Sequence, residues 1–371
     1  MSMMKGGFFG TIDKLGMNFE IALTNFFTEL GTLFARYPLP VIILSVGFAV
    51  GLSTGIRSLD VTTDPIELWA SPTSRSRIEK DFFDQTFVPF YRTEQVIIKA
   101  KNLESFNFVD FRGVNSTFGP IFHKDEFLLP LLDLQEQIKG LTAEFWNGTA
   151  TIEVSLTDVC NNPLSRPDRP NEHCNIQSIW SYWQDKAENL APKTNLLNVT
   201  MTYLDHFIEC SGNPTATPES TVAGQECMSS GGLPMFPFVV LGGFLPEGTQ
   251  GFPKNPKYSE ANAVVMTFLV NNHDAKSDDL LTTMALDKAK AWEKKFVEFM
   301  KEWTSNENNT EFMDVAYNSE RSIEDELDRE TYGDIMTIAV SYIFMFIYIT
   351  FSLGKLSKLD RFAIESKVSL F

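Results

Sequence analysis

Two long apolar segments dominate the hydrophobic pattern of the chain. No ionisable residue occurs in PLPVIILSVGFAVGLSTGI (38–56) or in IMTIAVSYIFMFIYITFSLG (335–354). About 20 helical residues cross the roughly 30 Å hydrocarbon layer of a bilayer, so the pattern predicts transmembrane helices over 38–57 and 334–354. The alternative, a pair of buried core helices, is rare for apolar runs of this length. The first segment starts too far along the chain for a cleaved signal peptide but is compatible with an uncleaved anchor.

The segment before the first span predicts an amphipathic helix. Its apolar residues recur every three or four positions at Ile12, Leu15, Phe19, Leu23, Phe26, Leu30 and Leu33. Because a membrane span follows, we expect residues 1–37 to form an interfacial helix on the cytosolic leaflet. Pro38 and Pro40 separate this helix from the span.

Strand and helix patterns alternate between the two spans, in residues 58–333. Strands are predicted at 94–100, 236–244 and 263–270, and helices at 75–86, 128–141, 179–190 and 281–303. This order predicts an α+β domain. Two irregular segments interrupt it. We expect 104–126 to be a long loop and 160–235 to be a protruding, cysteine-stapled excursion that buries little by itself.

The distribution of charge predicts that this domain lies outside the cytosol. Four basic residues follow the second span, namely Lys355, Lys358, Arg361 and Lys367. The positive-inside rule therefore places residues 355–371 in the cytosol, and with both ends there, 58–333 faces a lumen. The formal net charge of the chain is −17 at pH 7, concentrated in the central stretch. Such a charge disfavours nucleic acid and anionic lipid headgroups as partners.

Cysteines and glycosylation sequons agree with a luminal domain. All four cysteines lie between the spans, at Cys160, Cys174, Cys210 and Cys227. Four cysteines allow three pairings, of which the sequential one closes two short loops. Four N-x-S/T sequons lie in the same stretch, at Asn115, Asn147, Asn198 and Asn308, and each is a candidate glycosylation site.

Catalytic signatures are missing from the sequence. It contains no metalloprotease, nucleophile-elbow, P-loop or dinucleotide-binding motif, and no C-x-x-C pair that would suggest zinc. The four histidines, at positions 123, 173, 206 and 273, lack metal-ligand spacing. We therefore expect that the protein is not an enzyme and that it binds no cofactor or metal ion. The many carboxylates leave a hydrolase with a carboxylate pair as an alternative.

Longer motifs resemble a known family. The segment 59–100 is LDVTTDPIELWASPTSRSRIEKDFFDQTFVPFYRTEQVIIKA, and it resembles the start of the middle luminal domain of the Niemann-Pick type C sterol transporters. Similar motifs follow at LLDLQEQI (131–138), LTDVC (156–160), FPFVVLGG (236–243), VVMTFLVNN (264–272), AKAWEKKF (289–296) and RSIEDELDRE (321–330). The resemblance implies the pump-type α+β fold shared with Patched and the resistance–nodulation–division transporters.

The resemblance also implies a position within a larger protein. Members of the family have thirteen membrane segments, and the two spans here resemble the second and third, the third opening the sterol-sensing domain. The four cysteines match two disulfides of the family domain, Cys160–Cys174 and Cys210–Cys227. The implied function is cholesterol egress from late endosomes or lysosomes. A Patched- or Dispatched-type protein that handles lipid-modified signals is the alternative.

A docking site for a soluble sterol carrier follows from the same resemblance. In the family the carrier hands cholesterol to the transporter and contacts two protruding loops. The first maps to Phe106, Asn107, Phe108, Asp110, Phe111 and Arg112, and the second to Leu196, Leu197, Val199 and Thr200. Three aromatic residues in six are typical of an interface hot spot, with packing into their own core as the alternative. The second loop departs from better-known members by its leucines and the Asn198 sequon, where a glycan would obstruct docking.

Overall fold

A computed structural model describes most of the chain, which divides into two compact units, Met1–Thr62 and Thr63–Phe371. The described residues are 5–55, 69–87, 90–164, 174–195, 198–245, 248, 251, 253–273 and 280–353. The first unit contains two helices, α1 (Lys5–Arg36) and α2 (Pro38–Ser53). The axes of Met17–Arg36 and α2 differ by 102°. Proline causes the break, because it lacks an amide hydrogen and disfavours helical geometry at the residue before it.

The second unit combines helices with antiparallel strands. Its α-helices are α3 (Arg75–Phe87), α4 (Leu129–Lys139), α5 (Leu156–Val159), α6 (Tyr203–Gly212), α7 (Pro237–Val240), α8 (Leu280–Ser305) and α9 (Glu320–Leu353). Its strands are β1 (Arg92–Ala100), β2 (Phe106–Val109), β3 (Asn115–Phe118), β4 (Thr142–Trp146), β5 (Thr151–Ser155), β6 (Ile176–Gln177), β7 (Lys193–Thr194), β8 (Thr200–Met201), β9 (Leu241–Gly242), β10 (Ala263–Val270) and β11 (Met313–Ser319). Short 3-10 helices occur at Pro120–Phe122, Ile179–Trp183, Ala187–Leu190 and Tyr258–Glu260, and a π-helix at Lys124–Leu128. The α+β fold class is confirmed.

The main sheet has the strand order β11–β1–β10–β6, with β9 also paired to β10, and every pairing is antiparallel. Along β1, Val96 and Ile98 are fully buried while Ile97 between them is exposed. This alternation shows that the sheet is packed on one face only. Helix α8 lies on the packed face, where the Phe296 ring centroid is 6.4 Å from that of Phe268 on β10.

The cysteine-containing segment contributes more to the core than the sequence predicts. Both disulfides form in the order that the resemblance implies, Cys160–Cys174 and Cys210–Cys227, with Cα–Cα distances of 5.5 and 5.2 Å. Between them, Trp180, Tyr182 and Trp183 are fully buried, and β6 extends the main sheet. The prediction that 160–235 buries little by itself is wrong, because its aromatic side chains are a major part of the core.

The segment 104–126 is also more regular than predicted. It contains the β2–β3 hairpin, a 3-10 helix and the start of a π-helix, so the prediction of a long loop is wrong. Gly119 fixes the base of the hairpin, since its N–H donates to the Ser259 carbonyl at 2.7 Å. A Cβ atom at Gly119 would lie 1.8 Å from the Ala261 carbonyl oxygen, so only glycine fits there.

One helix among the described residues is long and apolar enough to cross a bilayer. It is the Glu320–Ile349 part of α9, whose most apolar window is fully exposed. A second candidate exists if the bent pair α1–α2 is taken as a single span. Helix α2 alone has 16 residues. The spans over 38–57 and 334–354, and the domain boundaries built on them, stay predictions.

Candidate partner-binding site

The first predicted loop is a β-hairpin with a tight tip, residues 109–114, called the first tip below. β2 and β3 pair up to Val109↔Asn115. The Asp110 N–H donates to the Val114 carbonyl at 2.9 Å, and the Gly113 N–H donates to the Asp110 carbonyl at 2.9 Å. Gly113 has φ +81°, which glycine adopts without a steric penalty. The tip is therefore a three-residue loop that ends in a left-handed residue.

The Asp110 carboxylate holds the first tip together. It is buried, and its Oδ1 accepts hydrogen bonds from the N–H groups of Arg112 at 2.9 Å and Val114 at 2.8 Å. Its Oδ2 accepts from the Arg112 guanidinium at 2.7 and 2.9 Å. Burial alone would raise the pKa of Asp110, but these bonds and the Arg112 charge bring that pKa below its usual value. The Asp110 carboxylate is therefore ionised at pH 5.

The β2–β3 hairpin has one packed face and one exposed face. Phe106 and Phe108 pack against the fully buried Phe118, with ring centroids 6.0 and 5.7 Å apart. Asn107 and Val109 belong to the other face and are exposed. This packing favours the core alternative for Phe106 and Phe108, which anchor the hairpin to the domain.

Phe111 is the aromatic residue that the first tip presents to solvent. It is 39% exposed, and the Arg112 guanidinium lies 5.5 Å from its ring centroid, within cation–π range. Val109 and Val114 flank it and are more than half exposed. The first tip therefore offers an apolar surface with a single guanidinium at its edge.

The second predicted loop forms a similar turn, in the β7–β8 hairpin. Its tip, residues 195–199, is called the second tip below. The Asn195 N–H donates to the Val199 carbonyl at 3.0 Å, and the Asn198 N–H donates to the Asn195 carbonyl at 3.0 Å. The Val199 N–H donates to Asn195 Oδ1 at 2.9 Å. Val199 is half-buried and Thr200, which follows it, is exposed.

Three hydrogen bonds of the first tip recur in the second. Asn195 takes the place of Asp110 in all three, with Asn198 in the place of Gly113 and Val199 in the place of Val114. Asn198, with φ +59°, takes the left-handed position that glycine holds in the first tip. Asparagine is among the non-glycine residues that adopt this conformation most readily. Leu196 and Leu197, which the sequence places between these bonds, lie outside the described residues.

Asp205 connects the two hairpins. Its Oδ2 accepts from the N–H and the hydroxyl of Thr202, both at 2.8 Å, in the capping box that starts α6 directly after β8. Its Oδ1 accepts from the Phe111 N–H at 2.9 Å. The first tip is thus bonded to the helix that continues the second hairpin. The T-x-x-D spacing is visible in the sequence, but the bond between hairpins is not, and sequence reasoning missed Asp205.

The four sequon asparagines have different surroundings. Asn115 and Asn308 are exposed. Asn147 lies in the β4–β5 turn, where its Oδ1 accepts from the Thr149 hydroxyl at 2.8 Å. Asn198 adopts a left-handed conformation in the second tip, as described above. This conformation by itself explains an asparagine at that position, whether or not it carries a glycan. Glycosylation of each stays a prediction.

One buried group among the described residues brings possible metal ligands together: His206, Cys210 and Cys227. Both sulfur atoms belong to one disulfide and offer no thiolate. His206 Nε2 lies 2.8 Å from the Tyr182 carbonyl oxygen, and burial lowers the pKa of His206 to about 4. The ring is therefore mostly neutral at pH 5 and above, and it is buried at the start of α6.

Comparison with known families decides what this domain is. The family model of the middle luminal domain of NPC1 matches residues 80–321, more than half of the chain. The chain belongs to the NPC1 middle luminal domain family. The match includes both hairpins, both disulfides and the main sheet.

Individual NPC1 relatives extend the similarity beyond this domain. NPC intracellular cholesterol transporter 1 of Sus scrofa is 36% identical over 360 residues, 96% of this chain and 26% of the relative. NPC1-like intracellular cholesterol transporter 1 of Homo sapiens is 36% identical over 362 residues, 96% of this chain and 25% of the relative. NPC intracellular cholesterol transporter 1 homolog 1b of Drosophila melanogaster is 35% identical over 345 residues, 92% and 25% respectively.

The chain spans about a quarter of the length of these relatives. All three are named as cholesterol transporters and none as an enzyme. Membership of the NPC1 family favours the sterol-transporter interpretation over the Patched or Dispatched alternative.

Proposed function

We propose that this chain is the luminal docking portion of an intracellular sterol transporter, and that it binds a soluble, sterol-loaded carrier protein. The observation that carries the proposal is the pair of matching tips, joined by Asp205, of which the first exposes Phe111 beside Arg112. Aromatic residues and arginine are enriched in the energetically dominant part of protein interfaces.

Rigidity makes the first tip suitable for docking. Asp110 accepts a hydrogen bond from the Val114 N–H inside the loop. Asp205, which lies outside the loop, accepts one from the Phe111 N–H. A surface that is ordered before binding loses less conformational entropy when a partner arrives. The second tip contributes Leu196, Leu197, Val199 and Thr200 in this proposal. These residues would make apolar contacts with the partner, as Phe111 would in the first tip.

The wider setting of the proposal follows from the predicted topology. Residues 58–333 would face the lumen of a late endosome or lysosome, with 1–37 and 355–371 on the cytosolic side. The partner would deliver cholesterol, which the complete transporter would pass to the membrane. Residues 334–354 would open the sterol-sensing domain. This chain would supply the docking step.

Acidic pH would favour docking. The net charge of −17 includes many exposed carboxylates in the luminal domain. Partial protonation below about pH 5 reduces the repulsion of these carboxylates for one another.

The test is capture of a purified sterol carrier by the whole chain in lipid nanodiscs, with and without cholesterol, at pH 5 and pH 7. We expect cholesterol-dependent capture that is tighter at pH 5 and reduced roughly tenfold or more by Phe111→Ala, as for an interface hot spot. Trp146→Ala is the matched control, because it removes another exposed aromatic side chain, on the β4–β5 hairpin. Equal losses in both variants, or no capture in any state, would contradict the proposal.

A further inference from the structure

Helix α3 exposes its apolar residues, whereas a helix that packs on a core buries them. Its apolar residues are the exposed ones: Ile78, Phe82 and Phe87 are 59–68% exposed and Phe83 is 41% exposed. None of its residues is buried. An amphipathic helix that serves a protein core would hide these four side chains.

The least exposed side chains of α3 are polar. Arg77 and Asp84 are only 15% and 20% exposed, although charged residues usually face water. They lie seven residues, or two turns, apart and so share one side of the helix. At 100° per residue, Ile78, Phe82 and Phe83 fall on the opposite half, and Phe87 lies about 70° from the direction of Arg77 and Asp84. The opposite half also carries the exposed ion pair Arg75–Glu79 near the start of the helix. The most exposed apolar side chains of the helix therefore lie away from its least exposed charged ones.

Exposed aromatic residues continue on both sides of α3. Trp69 precedes the helix and is 77% exposed, and Phe90 and Tyr91 follow it and are 69% and 41% exposed. This is a concentrated aromatic surface within 69–91. Tryptophan, tyrosine and phenylalanine at such density are typical of the layer where a bilayer meets water.

The position of α3 in the fold brings it within reach of that layer. It leads into β1, where Glu94 pairs with Ser319, the residue directly before α9. Along α9, Ile335 is 15 residues after Glu320, or about 22 Å at 1.5 Å per residue. The predicted hydrocarbon boundary at Ile335 is therefore about 22 Å along α9 from the end of β11, which pairs with Glu94 near the start of β1. Phe87 is five residues before Arg92, a link of up to about 17 Å.

We propose that α3 lies on the luminal surface of the membrane and inserts its exposed apolar side chains, Ile78, Phe82, Phe83 and Phe87, between the lipid headgroups. The ion pairs Arg75–Glu79, Arg77–Asp81 and Lys80–Asp84 leave the helix without net charge. Such a helix suits a zwitterionic surface, since it has no excess of basic residues to bind anionic lipid. It would hold the domain at a fixed height above the bilayer. The inference rests on the luminal topology proposed above, but not on carrier binding.

The test uses the whole chain in phosphatidylcholine vesicles with single cysteines introduced by Phe82→Cys or Trp146→Cys. The four native cysteines are all in disulfides, so the introduced thiol is the only free one. Phe82 and Trp146 have similar exposure, 68% and 61%, so Trp146→Cys reports the reactivity of an open luminal site. We expect a water-soluble maleimide to label the Phe82→Cys thiol roughly tenfold more slowly, because lipid shields it. A nitrobenzoxadiazole probe on the same thiol should be quenched by nitroxide-labelled headgroups.

Two results would overturn the proposal. Equal labelling of both thiols would show that α3 faces water. Slow labelling without quenching by nitroxide lipid would show that protein, such as a second copy of the chain, covers the helix. Whether the Trp146→Cys thiol is labelled from outside or from inside the vesicles shows on which side of the membrane the domain lies. This measurement needs no carrier. Failure of α3 to meet lipid is thereby distinguishable from failure of the docking function.

Discussion

At the residue scale, three short polar side chains set the shape of the candidate site. Asp110 and Asn195 each accept an N–H from within their own tip, at 2.8 and 2.9 Å. Asp205 acts between the hairpins, because it caps α6 and also accepts the Phe111 N–H. The aromatic side chain that a partner would meet is therefore positioned by a residue 94 positions away in the sequence.

Asp205→Ala removes both functions of this carboxylate. We expect the free energy of unfolding to fall by about 1–2 kcal/mol, the usual cost of losing a helix N-cap interaction. We also expect the Phe111 amide to lose its protection against hydrogen exchange, and carrier capture to weaken.

Thr202→Ala is the matched control for Asp205→Ala. It disrupts the cap but leaves the bond from the Phe111 N–H to Asp205 Oδ1. The Phe111 amide should therefore stay protected while the protein loses a similar amount of stability. Loss of protection in both variants would show that the cap, not the bond between hairpins, orders the first tip.

Two buried groups give opposite pH dependence to stability. Burial lowers the pKa of His206 to about 4, below its usual value of about 6.5 in an unfolded chain. The unfolded state therefore binds more protons, and His206 makes the fold less stable as the pH falls from about 6.5 towards 4. Burial, followed by the charge of Glu293, raises the pKa of Glu94 to about 9, with partial opposition from the Ser319 hydroxyl. Glu94 therefore favours the fold at low pH, and this contribution is lost as the pH rises from about 4.3 towards 9.

Single variants should separate these two contributions. From pH 7 to pH 5, His206→Gln should remove a destabilisation of about 2 kcal/mol, so the variant becomes more stable at pH 5 relative to pH 7 than the parent. Glu94→Gln should act in the opposite direction, because it mimics the protonated acid at every pH and helps most at pH 7. Urea unfolding followed by tryptophan fluorescence at both pH values measures each effect. A parallel shift at both pH values would refute the assigned titrations.

At the element scale, a buried ion pair joins β1 to α8. The Arg92 Nε and Nη2 donate to the two carboxylate oxygens of Glu293, the second at 2.8 Å, and both side chains are buried. Glu324 on α9 lies 4.0 Å from the same guanidinium and 3.2 Å from Lys290 Nζ. This network connects the central strand with the helix that leads to the second predicted span.

Arg92→Leu leaves Glu293 buried without its partner. We expect a loss of about 3–5 kcal/mol in the free energy of unfolding, because an unpaired buried charge is costly. The double variant Arg92→Leu/Glu293→Leu should recover most of that loss. Arg75→Leu, which breaks the exposed pair with Glu79, should cost less than about 1 kcal/mol. Similar costs for the single and the double variant would contradict this account of the pair.

Elements with a long, regular pattern were predictable from the sequence. The apolar run at 263–270 became β10, and the three- and four-residue spacing at 281–303 became α8. Short elements were not predictable, because their hydrogen bonds depend on residues that are distant in the sequence. The segment 236–244, predicted as a strand, contains the short helix α7 and only the two-residue strand β9, since Pro237 favours a first helical turn. The helix predicted at 179–190 is two 3-10 turns, with left-handed Gln184 and Asp185 between them.

The candidate site was predictable only in part, for the same physical reason. Its position at two loops follows from the family resemblance, whereas the hairpin that carries the first tip was predicted as part of a long loop. Which aromatic residues face outwards depends on strand register, which places Phe106 and Phe108 on the packed face and leaves Phe111 at the turn. A shift of one residue would reverse this arrangement, and nothing local in the sequence determines it.

At the scale of the whole molecule, the main sheet, both hairpins and α9 belong to one unit, Thr63–Phe371. The sheet, α8 and the aromatic residues of 160–235 contribute to its core, α9 leads from the sheet into the second predicted span, and the hairpins carry the exposed tips. The opposed titrations of His206 and Glu94 limit the change in stability between neutral and acidic pH. The charge of the surface can therefore vary with pH while the fold that presents the tips persists.

The most direct test of the docking proposal is a hydrogen-exchange footprint of the sterol-loaded carrier on the whole chain in nanodiscs at pH 5. The account predicts new protection at 107–116 and 193–202, with none at the β4–β5 turn around Trp146. Protection confined to other surfaces, such as the open face of the main sheet around Ile97, would contradict the assignment of the two tips as the docking site.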